Sequence, residues 1–134
     1  MNSQSQELSM TNDSLYSSLS NKITAFSNLQ KNWDSYDADT ISEMAIDAAL
    51  ATLNHLNNQG QLTNGFTVNV FPMRDAGIQF EFDGEIICAE LEINKNADFK
   101  FILFDEDGNI TNDPKQPFEL STLSTLLLES EYAL

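Results

Sequence analysis

Any chemistry in this chain would have to come from one histidine, one cysteine and a surplus of carboxylates. His55 lies in a helical stretch among Asn54, Leu56 and Asn57. A lone histidine in that setting reads as a surface or hydrogen-bonded residue, not as a general base. Cys88 falls between Ile87 and Ala89 with no basic neighbour to stabilise a thiolate, so it reads as a small half-buried hydrophobe. The sequence contains no Gly-rich phosphate loop, nucleophile elbow or zinc-ligand spacing. It therefore predicts no catalytic residue, no cofactor and no enzyme activity.

Two carboxylate clusters invite a metal test. Asp105, Asp107 and Asn109 place oxygens at every second position, as a calcium loop does. The loop's sixth position requires Gly and its twelfth requires Glu, but Ile110 and Gln116 stand there. A hairpin turn at Asp107-Gly108 accounts for the cluster without an ion. Asp34, Asp37 and Asp39 could converge between two helices, but helix capping and turn chemistry account for them more cheaply. No metal site is assigned.

Taken together, the carboxylates say more about partners than about reactions. The 134 residues carry 21 Asp and Glu against 6 Lys and Arg, a net charge of −15. Nucleic-acid affinity comes mostly from basic side chains on phosphates, so the scattered lysines and arginines exclude direct nucleic-acid binding. The same charge attracts basic protein surfaces over about a Debye length. Apolar residues make up 41%, nine of them Phe, which supplies a core and argues against global disorder. A single cysteine leaves no intramolecular disulfide and fits a reducing cytoplasm. The opening MNSQSQELSMTN has neither a basic n-region nor an apolar h-region, and no apolar run approaches the roughly 20 residues that span a bilayer. The expectation is a cytoplasmic protein, in the host cytoplasm if phage-encoded, with no membrane contact.

Residues 1–12 are polar and aperiodic and predict a disordered tail, followed by one domain over 13–134. Leu15, Tyr16, Leu19, Ile23, Phe26, Leu29 and Trp33 recur at helical spacing, with Asn12 or Asp13 as the cap. Thr40-Ile41-Ser42-Glu43 has the form of a capping box opening a second helix, which Gly60 ends.

After Leu62 the period changes to two. Phe66, Val68 and Val70 alternate with polar residues, as do Ile78, Phe80 and Phe82. Asp83-Gly84 signals a two-residue hairpin that would set Phe82 opposite Glu85, Phe80 opposite Ile87 and Ile78 opposite Ala89. A third strand over 85–94 and a fourth around Phe99, Phe101 and Leu103 follow, with Ile93 opposite Phe99 and Glu92 opposite Lys100. Ile110 starts a stub of a fifth. Residues 118–131, after Pro114 and Pro117, predict a helix carrying Leu120, Leu123 and Leu126 to Leu128. The fold class is α+β: two N-terminal helices, a four-stranded antiparallel meander and a C-terminal helix.

This layout gathers Glu81, Glu90 and Glu92 on the sheet face that also carries Ile86, Cys88, Ile102 and Phe104. Such a face is too apolar to stand bare. The C-terminal helix, a second copy of the chain or a partner would cover it.

The segment Trp33-Asp34-Ser35-Tyr36-Asp37-Ala38 resembles the W-D-x-Y-x-A element of small uncharacterised bacterial and phage proteins. In those an I-S-x-x-A-I element follows, matched by Ile41 to Ile46, and later a strand similar to Pro72 and Gly77 to Phe82. The likeness covers roughly residues 32–93 and departs at Ser35 and Asp37, where glycines are expected, and at Phe82, where Trp is commoner. It implies the helix-helix-meander layout and no activity. Trp33 and Tyr36 would either anchor the interhelical loop on the core or stand exposed as partner contacts.

The small acidic composition resembles phage anti-CRISPR and anti-restriction proteins, and also immunity proteins and antitoxins. It implies a non-catalytic inhibitor that binds a basic or nucleic-acid-handling protein, such as a nuclease, CRISPR effector or toxin. In its sharper form the carboxylates imitate DNA phosphates. The candidate contacts are Glu81, Glu90, Glu92, Ile86, Ile102, Phe104, Trp33 and Tyr36. The alternatives are an antitoxin or immunity protein, or a homodimeric structural module.

Overall fold

Two helices cover one face of a four-stranded antiparallel sheet. The structure is a computed structural model and describes residues 3–62, 66–85, 87–119 and 123, with side chains from Ser14 onward. Helix α1 spans Ser3–Ala25 and tightens into one 3-10 turn, Phe26–Asn28. It begins upstream of the expected cap at Asn12 or Asp13, and it stops before Trp33. Leu29 is extended at φ −71° and ψ 123°, and Asn32 is left-handed at φ 70°. Both are incompatible with a continued helix.

Helix α2 spans Glu43–Asn58. Its N-cap is Ser42, not the Thr40 of the expected capping box. The Ser42 hydroxyl accepts from the Ala45 amide at 3.0 Å and donates to the Lys95 carbonyl at 2.6 Å, a tertiary contact that sequence spacing does not reveal. Glu43 then opens the helix, where its charge suits the positive end of the dipole. The helix stops as expected, with Gly60 left-handed at φ 70°. Ala45, Ile46, Ala49, Thr52, Leu53 and Leu56 form its buried face against β2 and β3.

The strands are β1 Thr67–Pro72, β2 Ile78–Asp83, β3 Cys88–Ile93 and β4 Phe99–Phe104, in the order 1-2-3-4. The β3–β4 register is the expected one, with Ile93 opposite Phe99 and Glu92 opposite Lys100. A single bridge joins Phe104 to Ile110, the expected fifth-strand stub. The β2–β3 register differs. Phe82 pairs with Ala89, Phe80 with Leu91 and Ile78 with Ile93, a slip of four residues. Asp83 ends β2 instead of forming a tight turn, and Gly84 to Ile87 makes a longer loop closed by the Gly84 amide on the Ile87 carbonyl at 3.0 Å. An even slip keeps every side chain on its own face. It replaces Glu85 with Ala89 opposite Phe82 and runs the core rows into the fully buried Leu91 and Ile93.

The inner face carries Val68 and Val70, Ile78, Phe80 and Phe82, then Ala89, Leu91 and Ile93, all buried under the helices. The C-terminal helix expected over 118–131 lies outside the described residues except for Phe118, Glu119 and Leu123. Phe118 stacks on Phe101 with ring centroids 5.2 Å apart and meets Phe99 edge-on at 5.8 Å. Leu123 is fully buried in the same core. Both therefore pack on the inner side of the sheet, not on the outer face for which the C-terminal helix was one of three candidate covers.

One turn geometry recurs through the molecule. In 73–77, 94–98 and 105–109 the first amide donates to the fifth carbonyl, the fourth amide donates back to the first carbonyl, and the fourth residue is left-handed. That residue is Ala76 (φ 76°), Ala97 (φ 67°) or Gly108 (φ 83°). Asn94 and Asp105 add side-chain caps, each accepting the amides two and four residues on at 2.9 Å. Asp34 repeats the capping pattern on Tyr36 and Ala38, with Asp37 left-handed at φ 65° and Ser35 at φ 68°. The calcium-like spacing of Asp105, Asp107 and Asn109 is thus a capped turn. Ser35 and Asp37 occupy the conformation that favours glycine. Ser35→Gly and Ala97→Gly are each expected to raise unfolding free energy by about 1 kcal/mol, measured by chemical denaturation. A loss of stability in both would contradict the assigned turn geometry.

Candidate functional site

The outer face is built by register. Its three rows are Thr67–Asp83–Cys88–Phe104, Asn69–Glu81–Glu90–Ile102 and Phe71–Gln79–Glu92–Lys100. Glu81, Glu90, Glu92, Ile102 and Phe104 are therefore brought together as the sequence implied. The four-residue slip adds what the sequence reading missed: Glu81 stands directly opposite Glu90, with Asp83 and Glu92 flanking it on the same face. Asp83 had been assigned to a turn and belongs to this cluster. The signal that could have found it is the unbroken alternation Ile78 to Asp83, which favours a full strand over an early turn. Ile86 lies outside the described residues.

Burial pushes the Glu90 carboxyl above its ordinary value, and the charges of Glu81, Glu92 and Asp83 push it the same way. Lys100 is the cation in these rows, opposite Glu92. Gln79 donates to Glu81 at 3.2 Å. Like charges directly across a strand pair are destabilising, so the native sheet holds a repulsion that a cation would relieve.

For a carboxyl raised by folding, the native state binds its proton more tightly than the unfolded chain. Its destabilising effect is therefore present at neutral pH and disappears as pH falls through the raised value. Wild-type stability should gain from this group between pH 7 and the ordinary glutamate range, and Glu90→Gln should remove that part of the profile. Thermal midpoints across pH measure it. An unchanged profile in the variant would contradict the clustering.

The apolar members of the face are unequal. Ile102 is 7% exposed, while Phe104 and Cys88 are half-buried. Burial pushes the Cys88 thiol up, and the hydrogen bond and charge of Asp83 add to that, which leaves it a poor nucleophile. His55 sits half-buried in the last turn of α2.

The two aromatic candidates are elsewhere. Trp33 packs half-buried against the core and donates its indole N–H to the Asp39 carbonyl at 2.8 Å, so it anchors the loop. Tyr36 is 74% exposed. Arg74, from the β1–β2 turn, holds this loop through its Nε on Asp34 Oδ2 at 2.8 Å and a second bond to the Tyr36 carbonyl. Burial alone would raise the Asp34 carboxyl. The amides of Tyr36 and Ala38 and the Arg74 charge outweigh it and hold Asp34 below the usual range. Asp37 and Asp39 both approach Lys31 at 3.3 Å. These aspartates serve the loop, at the end of the sheet marked by the β1–β2 and β3–β4 turns.

A cleft of about 150 Å³ lies at that end, among Asp75, Glu92, Asn94, Asp98 and Lys100. It is smaller than the roughly 300 Å³ of an ordinary small-molecule site. Among the described residues, no group of His, Cys, Asp or Glu is arranged to hold a metal ion, and no helix is long and apolar enough to cross a membrane. No protein-family model, curated protein or solved structure matches the chain.

Proposed function

We propose that this protein is a non-catalytic acidic binder that neutralises a basic or nucleic-acid-handling protein. A nuclease, a CRISPR effector or a toxin is the class of target. The observation that carries the reading is the outer sheet face, where Glu81 opposes Glu90 between Asp83 and Glu92 and next to Ile102 and Phe104. Carboxylates forced together gain most from a partner's guanidinium groups, which donate two hydrogen bonds each and remove the repulsion. The half-buried Phe104 beside them supplies the water-excluding contact that holds a complex once formed. The acidic rows also suit a target that ordinarily grips DNA phosphates. An antitoxin or immunity protein would use the same face on a toxin.

The test is capture followed by inhibition. The immobilised chain is offered the heparin-retained proteins of a bacterial lysate at low salt. A nuclease or toxin that is held at low salt, released at high salt and inhibited by added chain supports the reading. Recovery of no such enzyme, with only the chain itself retained, sinks it.

A further inference from the structure

We propose, building on the reading of this chain as a binder of basic proteins, that the cleft between the β1–β2 and β3–β4 turns seats an arginine side chain of its partner. Three carboxylates line the cleft from separate stretches of backbone: Asp75 from the first turn, Glu92 from β3 and Asp98 from the second turn. Lys100 is the cation beside them. Among the described residues none of these four side chains forms an ion pair. The surplus of negative charge selects a cation as the occupant.

The remaining walls and the size of the cleft say which cation. Met73 and the half-buried Phe99 make an apolar wall, which suits a flat, weakly hydrated guanidinium better than a compact, strongly hydrated ammonium or metal ion. The volume is about 150 Å³, and a cavity of roughly that size takes a benzene-sized group. A guanidinium with its two adjoining methylenes has as many heavy atoms as benzene. Its fork of N–H donors can reach carboxylates on different sides of the cleft at once.

The cleft is also held open in advance. Ser42 ties the two turns together, its amide donating to the Ala76 carbonyl at 3.0 Å and its hydroxyl to the Lys95 carbonyl at 2.6 Å. Asn94 caps the second turn and donates to Asp98 Oδ2 at 3.4 Å. A site whose walls are fixed before binding loses little conformational entropy when it is filled. Glu92 and Lys100 belong to the row Phe71–Gln79–Glu92–Lys100 of the outer face, so an arginine in the cleft extends the acidic surface already described.

Titrating the isolated chain with N-acetylargininamide, followed by amide NMR shifts, tests this without any target protein. The shifts should concentrate at 73–77 and 92–100, and the neutral isostere N-acetylcitrullinamide should produce none there. Asp75→Asn with Asp98→Asn should weaken binding about tenfold, the sum of two exposed charge pairs. Lys100→Gln should strengthen it, because the competing cation is gone. Both variants leave Glu81 and Glu90 in place, so failure here leaves capture of a basic protein by those carboxylates standing, and failure of capture leaves this titration to decide the cleft. Three results would overturn the proposal: equal shifts from the arginine and citrulline compounds, shifts spread over the acidic surface and matched by N-acetyllysinamide, or affinity unchanged in both variants.

Discussion

Converting Glu81, Glu90 and Glu92 together to glutamine is expected to weaken binding of the basic target by at least about a hundredfold, near 2.7 kcal/mol. The variant should also make the isolated chain more stable. Glutamine keeps the length and the hydrogen-bonding oxygen of each side chain, so the loss would report charge and not shape. A charge-assisted hydrogen bond is roughly twice as strong as a neutral one, and three such contacts at one interface suffice for this loss. The stability gain follows from the register, because Glu81 and Glu90 face each other directly. Removing a like-charged pair across a strand is worth about 0.5–1 kcal/mol. A face that costs the free protein stability and is recovered on binding differs from an acidic coat that keeps a protein soluble. A solubilising coat with this register would show the stability gain without the loss of binding.

The second large effect is at Gly77, in the β1–β2 turn. A Cβ there would run into the backbone carbonyl of Ile93, and the Asn94 Cα lies 3.2 Å from the same point. Neither neighbour is the end of a flexible side chain. The turn also receives the interhelical loop, through the Asp39 amide on the Arg74 carbonyl at 2.9 Å and the Ser42 amide on the Ala76 carbonyl at 3.0 Å. Gly77→Ala must therefore separate β2 from β3 or displace the turn that holds residues 32–42. Overpacking of this kind costs about 3 kcal/mol. Denaturant unfolding measures it, and a change below about 1 kcal/mol would show that the turn lies elsewhere. The requirement for glycine at position 77 is steric.

What could be read from the sequence divides along physical lines. Alternation from Ile78 to Phe82 and from Ala89 to Ile93 assigned each side chain to a face, because a strand has a period of two and an even slip preserves it. Register is set by loop length, and Asp83-Gly84 suggests a shorter loop than the one formed. The opposition of Glu81 and Glu90 is invisible until that loop is known. The turns at 73–77 and 94–98 were hard to read for a related reason: Ala76 and Ala97 hold the left-handed positions where glycine would signal a turn. Ser42 caps α2 because Lys95, 53 residues away, accepts its hydroxyl. Trp33 was legible as an anchor once its loop was recognised. Arg74 reaches the Tyr36 carbonyl from the β1–β2 turn, and no local pattern encodes that contact.

The central claim is that the outer-face carboxylates bind a basic protein surface. The most direct measurement is the affinity of the captured target for the wild-type chain and for the Glu81→Gln, Glu90→Gln, Glu92→Gln chain, each across a salt series. Wild-type binding should weaken steeply as salt rises, and the variant should bind at least about a hundredfold more weakly with a much shallower salt slope. Equal affinities and equal slopes for the two chains would contradict the account.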